Sequence, residues 1–342
     1  MSGVVGQFVD TAAALAARVA DPAVTRLVHR LRTPVRVGVV GRPGCGRRTV
    51  GRALCAAGVA VAGPAERADV DVYVLAETVK PEDSQALAGS ERPTVVVLNK
   101  ADLAGFGGDG PIATAAARCR VLGEFIGAQV YPLAGLAAVA ALDAAVIDSE
   151  VIEALRTLSA DPADLGSTDR FVAGPHRVAP AVRRRLLEQL DLFGIAHAVH
   201  ALRDGNPSQG QAAVRAAVRR ASAVDAVLAA ITAVAAPVRY RRLTEALAAL
   251  ATAAAGDSDV AEFLAGDQVV AARMAAAAEV VQATGMTVDH DQTRAAHLRR
   301  AVSWQRYSRG PVSALQGSCG ADLARGSLRL WERAGGVAET RI

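Results

Sequence analysis

The residues with the clearest chemical purpose lie in two short runs. The first, Gly41-Arg42-Pro43-Gly44-Cys45-Gly46-Arg47-Arg48-Thr49, follows the β-branched run VRVGVV at 35–40 and leads into a helical pattern. A glycine-rich loop between strand and helix lets successive backbone N–H groups converge on an anion, and the helix N-terminus behind it favours negative charge. Gly41, Gly44 and Gly46 supply that loop, so the run reads as a phosphate-binding loop. The usual pattern continues with Lys and then Ser or Thr, where this chain has Arg47 and Arg48. Arg47 still brings positive charge, but a planar guanidinium does not replace an ammonium at a tight site. Arg48 lacks the hydroxyl that would ligate Mg²⁺, and Thr49 stands one residue late, so Mg²⁺ is a doubtful ligand and no metal-ligating residue is assigned.

The second run, Asn99-Lys100-Ala101-Asp102, closes the strand pattern TVVVLN at 94–99. A carboxylate at Asp102 can accept from both N1–H and the exocyclic amine of guanine, a pair that adenine does not offer. The alkyl stem of Lys100 would cover the base, and Asn99 would tie this turn to the phosphate loop. Lys80 and Lys100 are the only lysines in the chain, which makes a lysine here more informative than it would be in a lysine-rich protein. A plain polar turn is the alternative for this run alone; a phosphate loop upstream in the same sheet outweighs it. A weaker third signal is Pro132-Leu133-Ala134-Gly135, where the Ala134 backbone N–H could meet the guanine carbonyl.

Hydrolysis needs more than these parts. A nucleotide hydrolase of this type uses an acidic DxxG loop and a switch threonine to hold Mg²⁺ and sense the γ-phosphate. Residues 50–69 have room for one helix and a short connection, too little for two switch segments. Gly63-Pro64 stands roughly where the DxxG loop would fall, but Ala60 or Val61 occupies the place of the acid. Asp69 and Asp71 read as capping or edge residues. No catalytic residue is assigned.

The elements that must position these runs follow from periodicity. Strand patterns at 35–40, 70–75, 94–99 and 128–133 alternate with helical patterns at Arg48–Ala57, Pro81–Ala88, Ile112–Phe125 and Leu136–Asp143, which predicts a parallel α/β sheet over 34–148. Residues 1–33 read as amphipathic helices, with Val9, Ala13, Leu15 and Val19, then Val24, Leu27, Val28 and Leu31, at helical spacing. After Asp148 the chain reads as an all-α domain, 149–342, with breaks at Asp161-Pro162, Gly174-Pro175, Gly205-Asn206-Pro207, Pro237, Gly256-Asp257 and Gly310-Pro311.

Composition bounds the rest. With 342 residues, 51% hydrophobic and 21% charged, the chain can bury a sizeable core, which excludes a disordered protein. A net charge of +4 gives no reason to expect nucleic acid as a partner. Cys45, Cys55, Cys119 and Cys319 are scattered without metal or disulfide spacing. Neither a spanning helix nor a secretory leader is recognisable, so a cytoplasmic protein is expected.

Together GVVGRPGCGRRTVGRAL, VVVLNKADL and YPLAG resemble the translation-factor-type P-loop GTPases of the Era and dynamin-like kind, over residues 34–148. The segments AVRRRLLEQLDLFGIAHAVHALRDG, SAVDAVLAAI and HLRRAVSWQRYS are similar to the helical part of actinobacterial dynamin-like GTPases. The resemblance implies a G-domain-like α/β P-loop fold with an abridged sheet, followed by an all-α helical domain. It implies GTP or GDP as ligand, with Gly41, Gly44, Gly46, Arg47, Arg48 and Thr49 toward the phosphates and Asn99, Lys100, Asp102 and Ala134 toward guanine. The departures at Arg47 and Arg48 and the missing DxxG point to a pseudo-GTPase acting as a regulatory or partner subunit, its partner a protein such as a related GTPase. An active, divergent GTPase and a nucleotide-free scaffold are the alternatives. Basic clusters at Arg183–Arg185, Arg239–Arg242 and Arg299–Arg309, the last with Trp304 and Tyr307, admit a peripheral contact with an anionic membrane. Solvated helix faces and a core tryptophan are the stronger reading of them.

Overall fold

Four β-branched runs form one parallel sheet in the order β1 (Val37–Gly41), β2 (Val70–Ala76), β3 (Thr94–Asn99), β4 (Val130–Leu133). The protein is seen here as a computed structural model that describes residues 3–336 apart from 20, 64, 106–107, 205–209 and 254–256. The breaks read at Gly205-Asn206-Pro207 and at Gly256, and Pro64 of the Gly63-Pro64 pair, lie outside the described residues. Helices connect the strands: α3 (Arg47–Ala56) after β1, α4 (Pro81–Ala88) after β2 and α5 (Pro111–Ile126) after β3. Being paired on both sides and covered on both faces, β2 is buried at six of its seven residues. Side chains alternate as a strand requires: Tyr73, Leu75, Val96 and Leu98 share a cluster with Leu87 of α4 and Cys119, Leu122 and Ile126 of α5.

A short extra edge continues the sheet beyond β1. The Val37 N–H donates to the Ala60 carbonyl at 2.8 Å and its carbonyl accepts from the Ala62 N–H at 2.9 Å, giving a parallel bridge to Val61. In a strand, neighbouring residues address opposite edges, and the Arg36 carbonyl accepts instead from Asp69 and Val70, on the β2 side. The chain therefore leaves β1 for one edge and returns across it to β2. In open α/β sheets, ligands usually sit at the carboxyl ends of the strands beside such a reversal.

Contacts divide the chain into two compact units, 36–231 and 1–35 with 232–342. The first unit thus extends past the last strand to 231, not to 148. It includes α6 (Gly135–Leu142), α7 (Ser149–Ala160), α8 (Thr168–Ala173), α9 (Pro180–Asp204) and α10 (Gly210–Ser222). The reason lies in α6, whose sequence GLAAVAAL buries five consecutive residues, Ala137–Ala141. Alanines let α3, α9 and α10 approach α6 closely, so the helical tail packs into the sheet's own unit. In α9 the helical path breaks at Asp191, with φ 57° and ψ 172°.

The second unit contains α1 (Gly3–Val19), α2 (Pro22–Arg32), the later part of α11 (Val224–Ala253), α12 (Ser258–Ala265), α13 (Asp267–Ala283), α14 (Arg294–Ser308) and α15 (Ala314–Arg333). Phe8 stacks on Phe263 with ring centroids 5.7 Å apart, and Trp304 is buried edge-on to Tyr307. The buried Asp322 carboxylate accepts from the Tyr240 hydroxyl at 2.7 Å and from Arg273. Several members of the basic clusters are engaged internally: Arg183 is buried, Arg185 pairs with Asp148 and Glu150, and Arg239 pairs with Glu279. No single described helix is long and apolar enough to cross a membrane.

Candidate functional site

The glycine loop is shaped by contacts that only glycine permits. Gly41 ends β1 at φ +136°, and a Cβ there would lie 2.4 Å from the Val74 carbonyl oxygen. Gly46 caps α3 at φ +87°, where a Cβ would lie 2.2 Å from Asn99 Nδ2. Gly44, at φ +84°, faces open space. Cys45 between them is buried, while Arg47 and Arg48 are exposed on the first turn of α3 and Thr49 is half-buried.

Asn99 joins this loop to the rest of the site. It is 4% exposed at the end of β3; its Nδ2 donates to the Cys45 carbonyl at 2.9 Å, and its Oδ1 accepts from the Gly135 N–H at 3.1 Å. A Cβ at Gly135 would approach Asn99 Oδ1 to 2.5 Å, so both neighbouring glycines make room for this side chain. The carboxyl ends of β1, β3 and β4 are thereby held together, and the glycine loop and the Asn-Lys-Ala-Asp turn stand side by side.

After Asn99 the chain turns through Lys100 at φ +61°, with its side chain exposed, into a 3₁₀ turn, Ala101–Leu103. Asp102 in that turn is half-buried. Burial pushes its carboxyl above the ordinary range, opposed by its own backbone N–H; nearby Asp191 raises it further and Lys100 lowers it. A shielded carboxylate flanked by a second acid gains from a ligand that donates hydrogen bonds to it.

Ala134, at the end of β4, is buried, and its N–H donates to the Ser222 carbonyl at 3.0 Å. The donor assigned to a guanine carbonyl therefore has a protein partner at the C-terminus of α10. Ala223, the next residue, sits at φ +60°. A left-handed alanine costs about 1–2 kcal/mol, part of which glycine returns as unfolded-chain entropy. Ala223→Gly should accordingly raise stability by about 0.5–1 kcal/mol in chemical denaturation.

A polar group that sequence reasoning missed lies beneath the loop. Arg42 Nε donates to both oxygens of Asp83, at 2.8 and 2.9 Å, and the Tyr73 hydroxyl and the Lys80 N–H each donate to the same carboxylate at 2.9 Å. Asp83 is fully buried. Burial alone would raise its carboxyl; Arg42, the Lys80 N–H and Tyr73 together hold it below the ordinary range. Burial and the bond to Asp83 push Tyr73 up to about 12. Pro81 followed by Glu82 and Asp83 was visible as a helix start, but nothing local indicated that Arg42 would meet it.

Arg48 holds the hydroxyl position, and the edge at 60–62 carries no acid. Among the described residues no group of three His, Cys, Asp or Glu side chains gathers to hold a metal. Neither family models, curated proteins nor solved structures give a match to this chain.

Proposed function

We propose that the 36–231 unit binds a guanine nucleotide without hydrolysing it, as a pseudo-GTPase that serves as a regulatory or partner subunit. The observation that carries this reading is Asn99, whose side chain gathers the glycine loop, the Asn-Lys-Ala-Asp turn and the Ala134 turn at adjoining strand ends. Phosphates would lie against the loop and the N-terminus of α3, with Arg47 and Arg48 screening their charge. The base would lie beside Asp102. The absence of an acid at 60–62 and of a hydroxyl at Arg48 supports binding without turnover.

Calorimetric titration with GDP, GTP and ATP, with and without Mg²⁺, tests this. Saturable binding of GDP and GTP, little affected by Mg²⁺ and without phosphate release, is expected, with ATP silent. Asp102→Asn should abolish the preference for guanine. It should also raise the melting temperature at neutral pH. Because the folded pKa of Asp102 is raised, its ionised form is the one the fold disfavours, and an uncharged isostere removes that cost. A structural polar turn would show no gain in stability coupled to a loss of binding.

The Ala134–Ser222 bond favours a second reading, a nucleotide-free scaffold that retains the fold as a binding surface. Silence with every nucleotide would leave that reading standing.

A further inference from the structure

A half-open cavity of about 430 Å³ lies between α13 and α15 in the unit of 1–35 and 232–342, within the size range of small-molecule sites. Val270, Met274, Ala275, Val288 and Leu330 give it an apolar stretch of wall, beside which stand charged side chains, Asp267, Glu279, Arg329 and Arg333 among them. Met274 lies on Gly326, where a Cβ would meet its Sδ at 2.3 Å, so part of the wall is a deformable thioether seated on a glycine.

One residue lining this cavity is electrostatically incomplete. Arg300 is 5% exposed and makes no ion pair among the described residues. Its Nε donates to Ser327 Oγ at 3.1 Å, its Nη1 to the carbonyls of Asp289 and Asp291 at 2.7 and 3.2 Å, and its Nη2 to His297 Nδ1 at 2.5 Å. None of these partners is a carboxylate oxygen. A guanidinium has five N–H groups, so one on Nη2 is left without a described partner. A buried cation without counter-charge is costly, and an anion would offset that cost. The acids along the wall are already used: Asp267 by Arg329 at 2.6 Å and Arg333 at 3.5 Å, and Glu279 by Arg239 at 2.9 Å. Asp289 is exposed at the rim and accepts from the Asp291 N–H.

We propose that this cavity binds a carboxylate with an apolar tail, of the medium-chain fatty-acid class, its head on Arg300 and its tail along Val270, Met274 and Leu330. The site is separate from the nucleotide reading and stands without it. Calorimetric titration of the full chain with monomeric decanoate, and with decanol as the uncharged control, tests the assignment. One decanoate per chain is expected, binding at least ten times more tightly than decanol, and Ala275→Trp, which fills the cavity, should abolish it. Arg300→Met should reduce decanoate to the level of decanol in protein that keeps the wild-type melt. Since Arg300 also anchors the 289–291 turn, a variant that does not fold leaves the decision to decanol and Ala275→Trp. Absence of saturable decanoate binding, equal binding of decanol, or unchanged binding by Ala275→Trp would each overturn the proposal.

Discussion

Asn99→Ala should destabilise the 36–231 unit by about 2–5 kcal/mol, because it strands a buried carbonyl and a buried N–H at once, each at about 1–3 kcal/mol. The stranded groups are the Cys45 carbonyl and the Gly135 N–H. For a unit of this size the loss corresponds to a fall of roughly 4–20 °C in melting temperature. The glycines on either side cannot compensate, since Gly46 and Gly135 leave space shaped for the missing amide. Nucleotide affinity should fall further than stability accounts for, because the glycine loop and the base turn lose their common tether. Thermal denaturation monitored beside GDP titration measures both. A variant that melts like the wild type would show that Asn99 does not organise these loops.

Asp83→Ala should cost about 2–4 kcal/mol, since it leaves the buried Tyr73 hydroxyl and the Lys80 N–H without an acceptor and removes the counter-charge of Arg42. The pH dependence gives a sharper signature. Because the folded pKa of Asp83 is depressed, its contribution is present above the unfolded value of about 3.9 and is lost as pH falls through the lower folded value. Tyr73 works in the opposite sense. Its folded pKa is raised to about 12, so its contribution is complete below the unfolded value of about 10 and is lost as pH rises through the folded one. Urea denaturation across pH should therefore show wild-type stability declining at both extremes, and Asp83→Ala should remove its own share of the acid limb and lessen the alkaline one, where the burial of Tyr73 persists. A constant difference between the two proteins at every pH would exclude the network as its origin.

These expectations also mark how far the sequence could be read. The four strands and the helices between them lie within two residues of their periodic patterns, because buried parallel strands and amphipathic helices impose distinct spacings. Gly41 and Gly46 were legible for the same local reason: a loop between strand and helix demands conformations that side chains resist. Asn99, Lys100 and Asp102 are set by one turn. The Arg42–Asp83 pair was not legible, since its partners are 41 positions apart and each has an ordinary local role. Ser222 was beyond reach for a similar reason, as its backbone carbonyl, which carries no residue-specific signature, meets Ala134. The unit boundary eluded periodicity because an alanine-rich helix shows that it packs closely without showing against what. Trp304, at helical spacing among arginines, lies in the core.

The most direct test of the guanine-site reading follows backbone amide resonances of isotopically labelled protein during titration with GDP and, separately, ADP. The account predicts that GDP shifts the amides of Gly44, Gly46, Asp102 and Ala134 together, the last as it exchanges the Ser222 carbonyl for the base, and that ADP leaves them in place. Shifts scattered over helix faces, or the same response to both nucleotides, would contradict it.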